Sequence, residues 1–198
     1  KLLLKIMQTL APRIRQTNLE LVSLYETGRI IGKGGEVGEL LSGLLEVLKE
    51  AIACERGAAF LIHAGTGALE CRAAFGHKSD PSRWSPDPAS GFAGEILRTE
   101  ETVIVASYFS DPRFQADEQA GYETARMLGV ALRVRTELIG MLILCNKTTR
   151  DGEPADFAAG DANLLSAVAA QVSGAIEIAR LHEETREKEK LERIYIRF

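Results

Sequence analysis

The sequence predicts an α+β domain: an antiparallel β-sheet with flanking helices packed on one face and long N- and C-terminal helices. Three observations carry that expectation. Apolar residues recur at threes and fours before the first strand segment (Val37, Leu40, Leu41, Leu44, Leu45, Leu48, Ile52) and after the last (Leu164, Leu165, Val168, Val172, Ala175, Ile176, Ala179), the spacing of one buried helix face. Between them, short apolar runs are joined by tight connections of the hairpin kind. The order is strands bracketed by helices rather than a strict strand–helix alternation, which points to antiparallel pairing.

Taken in order, residues 1–20 read as a linker helix, apolar on one side from Lys1 to Leu10 and able to restart at Pro12, since proline is tolerated in a first helical turn. A loose helical rhythm from Ile14 through Leu19, Val22, Leu24, Ile30 and Ile31 stops at Gly32, Gly34 and Gly35. The amphipathic helix Val37 to Ile52 follows. Gly57–His63 and Ala68–Phe75 read as strands of a hairpin around Ala64-Gly-Thr-Gly67. The proline-bearing stretch Gly76–Ser90 is a loop. Phe92–Arg98 is a short helix, Thr102–Val105 a short strand, Ser110–Phe114 a turn and Asp117–Ala125 a short helix. Gly129–Val134 and Leu138–Cys145 close the sheet through a tight turn at Arg135-Thr-Glu137. The last helix starts near Asp161 and continues into the polar run Glu183–Arg193, where pairs such as Glu184–Lys188 support it. Leu181, Lys188, Leu191, Tyr195 and Phe198 share one heptad frame, a coiled-coil signal that Glu184 weakens.

The 198 residues suit one domain with extensions. A hydrophobic fraction of 45% supports a core, and a net charge of -4 argues against nucleic acid as a partner. The 3 cysteines, Cys54, Cys71 and Cys145, are odd in number and form no Cys-x-x-Cys pair, which reads as reduced thiols in a cytoplasmic protein. They do not cluster with His63, His77 or His182, so no metal site is expected. No apolar run is read as approaching the ~18–20 residues of a membrane span, so no direct membrane contact is expected. Beginning at Lys1 and ending inside a helical pattern, the chain reads as a piece of a longer polypeptide.

Chemistry is sparse. The Walker loop, nucleophile elbow, zinc-protease and dinucleotide patterns are missing, and Gly32-Lys-Gly-Gly35 lacks phosphate-loop spacing. No catalytic residue is assigned. The informative stretch is Asn146-Lys147, then Phe157 and Asp161. A lysine ending a strand can pair with an aspartate opening a helix, where a carboxylate is favoured by the dipole and by capping.

That stretch resembles the Asn-Lys…Phe-x-x-x-Asp-Glu signature of GAF domains, with Ala162 in place of the final glutamate. Ser90-Gly-Phe-Ala-Gly94 and Asp111-Pro-Arg-Phe114 add to the resemblance, which covers residues 21–181 and leaves 182–198 as a signalling linker helix. The resemblance implies that Asn146, Lys147, Phe157 and Asp161 form a structural buttress. It also implies a ligand over one sheet face between Phe75 and Leu128. In that region Phe75, Phe92, Phe109, Asp111, Arg113, Phe114, Arg126 and Met127 are the candidate binding residues, because rings suit a planar heterocycle and arginine suits a phosphate. Cyclic AMP or cyclic GMP is the candidate ligand, and no cofactor is required. The small residues Ala167, Ala169, Ala170, Ser173, Gly174 and Ala175 would permit close helix approach. The resemblance thus implies a sensory module, homodimeric through its terminal helices, that signals to a C-terminal enzyme; the ending Leu191–Phe198 resembles the junction before class III nucleotide cyclase domains, which makes a nucleotide cyclase a candidate output. The alternatives are a ligand-free dimerisation module and a small thiol redox enzyme.

Overall fold

A computed structural model describes residues 37–76, 85–114, 126–149 and 151–195, with side chains of the last helix described to Ala179 and at Leu181 and Thr185. The elements are α1 (Val37–Ile52), β1 (Cys54–Ile62), β2 (Leu69–Phe75), α2 (Gly91–Thr99), β3 (Val103–Val105), a 3-10 turn (Tyr108–Ser110), β4 (Met127–Val134), β5 (Glu137–Lys147) and α3 (Ala159–Tyr195). The expected helix ahead of Gly32, the helix at Asp117–Ala125 and the end at Phe198 lie outside the described residues.

The strands form one sheet in the order β2-β1-β5-β4-β3, and every neighbour is antiparallel. β5 holds its middle, between β1 and β4, and both β1 and β5 are apolar on both faces. Ala59, Leu61, Leu142 and Leu144 face α1 and α3, while Ala58, Phe60, Met141, Ile143 and Cys145 face α2. This double burial explains why the strand sequences run apolar almost without alternation. It also corrects the expectation that the helices share one face. The long helices do, but α2 covers the other side with Phe92, Ala93 and Ile96, because a second apolar face needs its own layer.

Several boundaries follow from single residues. Ala53 takes a left-handed conformation (φ 55°) and its N–H donates to the Lys49 carbonyl. α1 therefore ends and turns directly into β1, which starts at Cys54 rather than Gly57. A register shift between Ala59 and Phe60 leaves Arg72 as an extra residue in β2. Past that bulge, the side of the sheet each β2 residue faces is reversed.

α3 buries Leu164, Leu165, Val168, Val172 and Ile176 against the sheet. Of the small residues read as a helix-contact stripe, Ala169, Ser173 and Ala175 are buried within the subunit, Ala167 is half-buried, and Ala170 and Gly174 are exposed. The stretch Ala159–Ala179 is long and apolar enough to cross a membrane, which the sequence reading did not credit. Its polar interruptions hide the run, and its apolar stripe packs on the sheet.

β1 and β5 approach closely where Gly140 faces the Phe60 carbonyl: a Cβ there would sit 2.1 Å from that oxygen. Backbone cannot move aside as a side chain can. Gly140→Ala is therefore expected to destabilise the fold by about 3 kcal/mol, the upper end of overpacking costs, read from urea unfolding midpoints. A midpoint within error of the parent would show that the sheet yields there.

Candidate functional site

Two neighbourhoods hold most of the residues singled out from sequence: the junction of β5 with α3, and the sheet face under α2.

At the junction, Asn146 is left-handed (φ 54°), a conformation asparagine tolerates better than most residues. Strict alternation would put Cys145 and Lys147 on the same face. Cys145 faces α2, whereas the Lys147 ammonium reaches the start of α3; the turn at Asn146 breaks the alternation. Asn146 is held by its N–H on the Arg126 carbonyl (3.0 Å) and its amide on the Glu55 carboxylate (3.0 Å).

Lys147 Nζ lies 2.5 Å from Asp161 Oδ2, which also accepts the Ala158 N–H at 2.7 Å. Asp161 is the third residue of α3 and satisfies the N–H just ahead of the helix, one half of a capping box. Phe157, immediately before Ala158, is buried in the core that Ala162 also packs against, the placement of a hydrophobic staple. Where the signature carries glutamate, Ala162 thus adds apolar contact. Lys147 O accepts the Ala155 N–H (2.8 Å), and Thr148 donates its N–H and hydroxyl to Ala53 O (2.7 and 3.1 Å). Lys147 and Thr148 therefore tie the ends of α1, β5 and α3 together, the first through Asp161 and the second through Ala53.

The eight candidate ligand residues separate. Phe92, Phe114 and Met127 are buried under or within the α2 layer. Phe92 meets Phe114 edge-on at 6.0 Å. Tyr108, which sequence reasoning missed, stacks on Phe114 at 5.1 Å and is buried. The 3-10 turn sends Tyr108 inward and Phe109 outward, so Phe109 is 68% exposed instead of lining the layer. The only available signal was the Tyr-Phe pair itself, which does not say which ring turns in. Phe75 packs on the α1/α3 side, with the Lys49 ammonium 5.6 Å from its ring; the Arg72 bulge put it there. Arg126 pairs with Asp156 (2.8 Å), one residue before Phe157, and so belongs to the junction.

Asp111 and Arg113 serve each other. Asp111 Oδ1 accepts the Arg113 N–H at 3.0 Å, an Asx turn. The guanidinium donates to both carboxylate oxygens. That hydrogen bonding holds the Asp111 carboxyl below the usual carboxylate range. Arg113 also lies 3.8 Å from Glu95 and 5.0 Å from the Phe114 ring. Beside it, the α2 N-terminus (Ser90, Gly91, Gly94) with Glu95, Arg98 and Arg113 lines a cleft of about 340 Å³. Such a wall offers ring contact and cations whose charge is already balanced by carboxylates.

The thiols sit in different layers, although Cys54 and Cys145 lie two register positions apart on the paired strands β1 and β5. Cys54 faces the α1/α3 core, Cys145 the α2 layer, and Cys71 is half-buried in the edge strand β2. Burial first, and then the Cys145 thiol, push the Cys54 pKa from 9.0 to about 12, so it is protonated and unreactive at neutral pH. Among the described residues, no three His, Cys, Asp or Glu side chains gather to hold a metal.

A model of the GAF domain matches residues 36–176. The Nif-specific regulatory protein of Herbaspirillum seropedicae is 27% identical over 175 residues, 84% of this chain and 31% of that protein. Its counterpart from Azospirillum lipoferum is 24% identical over 179 residues, 88% of this chain and 28% of that protein. The chain thus spans about a third of the length of these curated relatives. The GAF domain of an Acinetobacter phosphoenolpyruvate-protein phosphotransferase superposes with a TM-score of 0.66 at 20% identity, covering 83% of this chain and 97% of that one. The free methionine-R-sulfoxide reductase of Neisseria meningitidis, solved with its substrate, has a TM-score of 0.66 at 20% identity, covering 86% of this chain and 91% of its own. At such identities these two share the fold.

The junction sets two expectations. Asp161→Ala removes the ion pair and the cap together and should cost about 2–3 kcal/mol, against about 1–2 for Lys147→Met. The losses should be non-additive in a double-mutant cycle, and exchanging the two charges should recover only part, since Ala158 N–H then meets a cation. Strict additivity would show that the pair does not interact. Separately, because the folded Cys54 pKa is raised, its protonated form stabilises the fold below pH 9.0, and that contribution is lost as pH rises toward about 12. Native protein at pH 8 should leave Cys54 unlabelled by a thiol reagent until unfolded, as mass spectrometry would record.

Proposed function

The chain belongs to the GAF domain family, and we propose that it is the cytoplasmic sensory module of a larger regulatory protein, passing a change at the α2 face to an effector through α3. The observation that carries this reading is α3 itself. Its first half is anchored in the sheet and pinned at its start by Asp161, while its second half continues to Tyr195. A helix built that way has one end fixed to a ligand-sized domain and the other available to a neighbour. The regulatory character of the relatives, of which this chain spans about a third, supports the reading.

The ligand side is the α2 layer. A planar heterocycle could stack against Phe92, Tyr108 and Phe114, with Arg113 or the α2 N-terminus meeting a phosphate. Cyclic AMP and cyclic GMP are the probes of choice. The packing of the same rings against Met127 and Ile96 favours the second reading, a ligand-free dimerisation module. In either reading the partner is a second copy. Ala170, Gly174, Ile178 and Leu181 are exposed along one side of α3 at spacings of four, four and three, a seam suited to a helix partner. Ile178 and Leu181 are 43% and 56% exposed. The effector is proposed only as a regulatory domain. The likeness to a cyclase junction rests on residues 191–198, whose side chains lie outside the described residues.

Calorimetric titration with cyclic AMP and cyclic GMP tests the ligand: binding of either, lost in Phe114→Ala, supports the sensor, and silence at millimolar concentration removes the cyclic-nucleotide version. Light scattering tests assembly. The 198-residue chain should be a dimer at tens of micromolar, weakened when the chain ends at Leu181. Monomers in both cases would remove the dimer, while an unchanged dimer would move the contact to the Ala170–Gly174 seam.

A further inference from the structure

α2 and α3 lie on opposite faces of the sheet, so a displacement of one reaches the other through the strands or around an edge. At the β3 edge there is a short path. α2 ends at Thr99, and Glu100 closes it in a left-handed turn (φ 57°), donating its N–H to the Ile96 carbonyl at 2.8 Å. Two residues later, the Thr102 and Ser166 hydroxyls meet at 2.6 Å. Ser166 lies on α3, among apolar neighbours Leu164, Leu165 and Val168. A second strand of contacts starts from the same loop. The Glu100 carboxylate pairs with Arg133, and the Arg133 N–H donates to Ser173 Oγ at 3.1 Å, which in turn donates to the Ala169 carbonyl at 2.9 Å. Ser166 and Ser173 are one heptad apart and fall on the same side of α3.

Apolar packing is non-directional and lets a helix slide or roll by small amounts. A hydroxyl pair fixes distance and angle. On α3, Ser166 and Ser173 each make a polar contact that leads back to the loop that ends α2.

We infer that the Thr102–Ser166 hydroxyl pair is a coupling contact that makes α3 follow α2 around the β3 edge, the Arg133–Ser173 contact keeping β4 in register with that motion. Its biological use rests on the sensory reading, but the link is measured without any ligand, so a failed search for a ligand leaves it standing.

The test is amide hydrogen exchange on the full 198-residue chain. Ile96→Val loosens α2 where its side chain rests on Gly129. α1 packs on the α3 side and is the internal reference. With the hydroxyl pair intact, Ile96→Val should speed exchange at residues 164–172 relative to α1 by roughly five-fold, the equivalent of one side-chain hydrogen bond. In a Ser166→Ala background that relative change should vanish, and Ser166→Thr should retain it. Should Ser166→Ala not fold, Thr102→Val removes the pair from the other side. An equal response with and without the pair, or none in the parent, overturns the inference.

Discussion

Asp161 is the residue on which the rest of the arrangement depends. One carboxylate oxygen accepts both the Lys147 ammonium and the Ala158 N–H. It answers the helix's unsatisfied first turn and fixes where β5 delivers its last side chain. A partly buried lysine and aspartate carry a desolvation cost, and each is acceptable here because the other is present. Asn146 is the condition for this meeting. Without a residue that accepts a left-handed backbone at that point, Lys147 would face the α2 layer and the carboxylate would lose its partner.

The sheet separates two environments. The α1/α3 side is large and mostly aliphatic, Phe157 and Phe75 apart, with leucines from both helices meeting alternate residues of the central strands. The α2 side is smaller and holds Phe60, Phe92, Tyr108 and Phe114 with two methionines. Gly129 lets α2 sit on the sheet there, since a Cβ would come within 2.3 Å of Ile96. The ordinary core thus lies where the long helices are, and the side with softer, more variable packing lies under the short helix and its loops. Methionines and rings with neighbours on a short element can rearrange at lower cost than a leucine core.

How much was legible in the sequence follows the strength of the local signal. The apolar spacing from Val37 to Ile52 gave α1 to the residue, and the Lys147–Asp161 pair followed from a strand end facing a helix start. The second layer was missed although unalternated apolar runs signal two buried faces; the nine residues of α2 give too little apolar spacing to show which face that helix covers. Phe75 was assigned to the wrong side because a single inserted residue, Arg72, reverses the parity of β2, and no composition marks it. Phe109 and Tyr108 were exchanged for a similar reason: a one-turn 3-10 segment decides which of two adjacent rings is covered. The candidate ligand set suffers most from such local turns, since it was assembled from residue type within a region rather than from periodicity.

The continuation of α3 past the sheet has a mechanical consequence. From Ala179 to Tyr195 the helix extends about 24 Å at 1.5 Å per residue. Anchored at its base, it is a lever. A tilt of about 5° at the sheet would carry its tip sideways by about 2 Å, given that rise. A side-chain adjustment too small to alter the fold is thereby enlarged to a displacement that an adjoining domain can register.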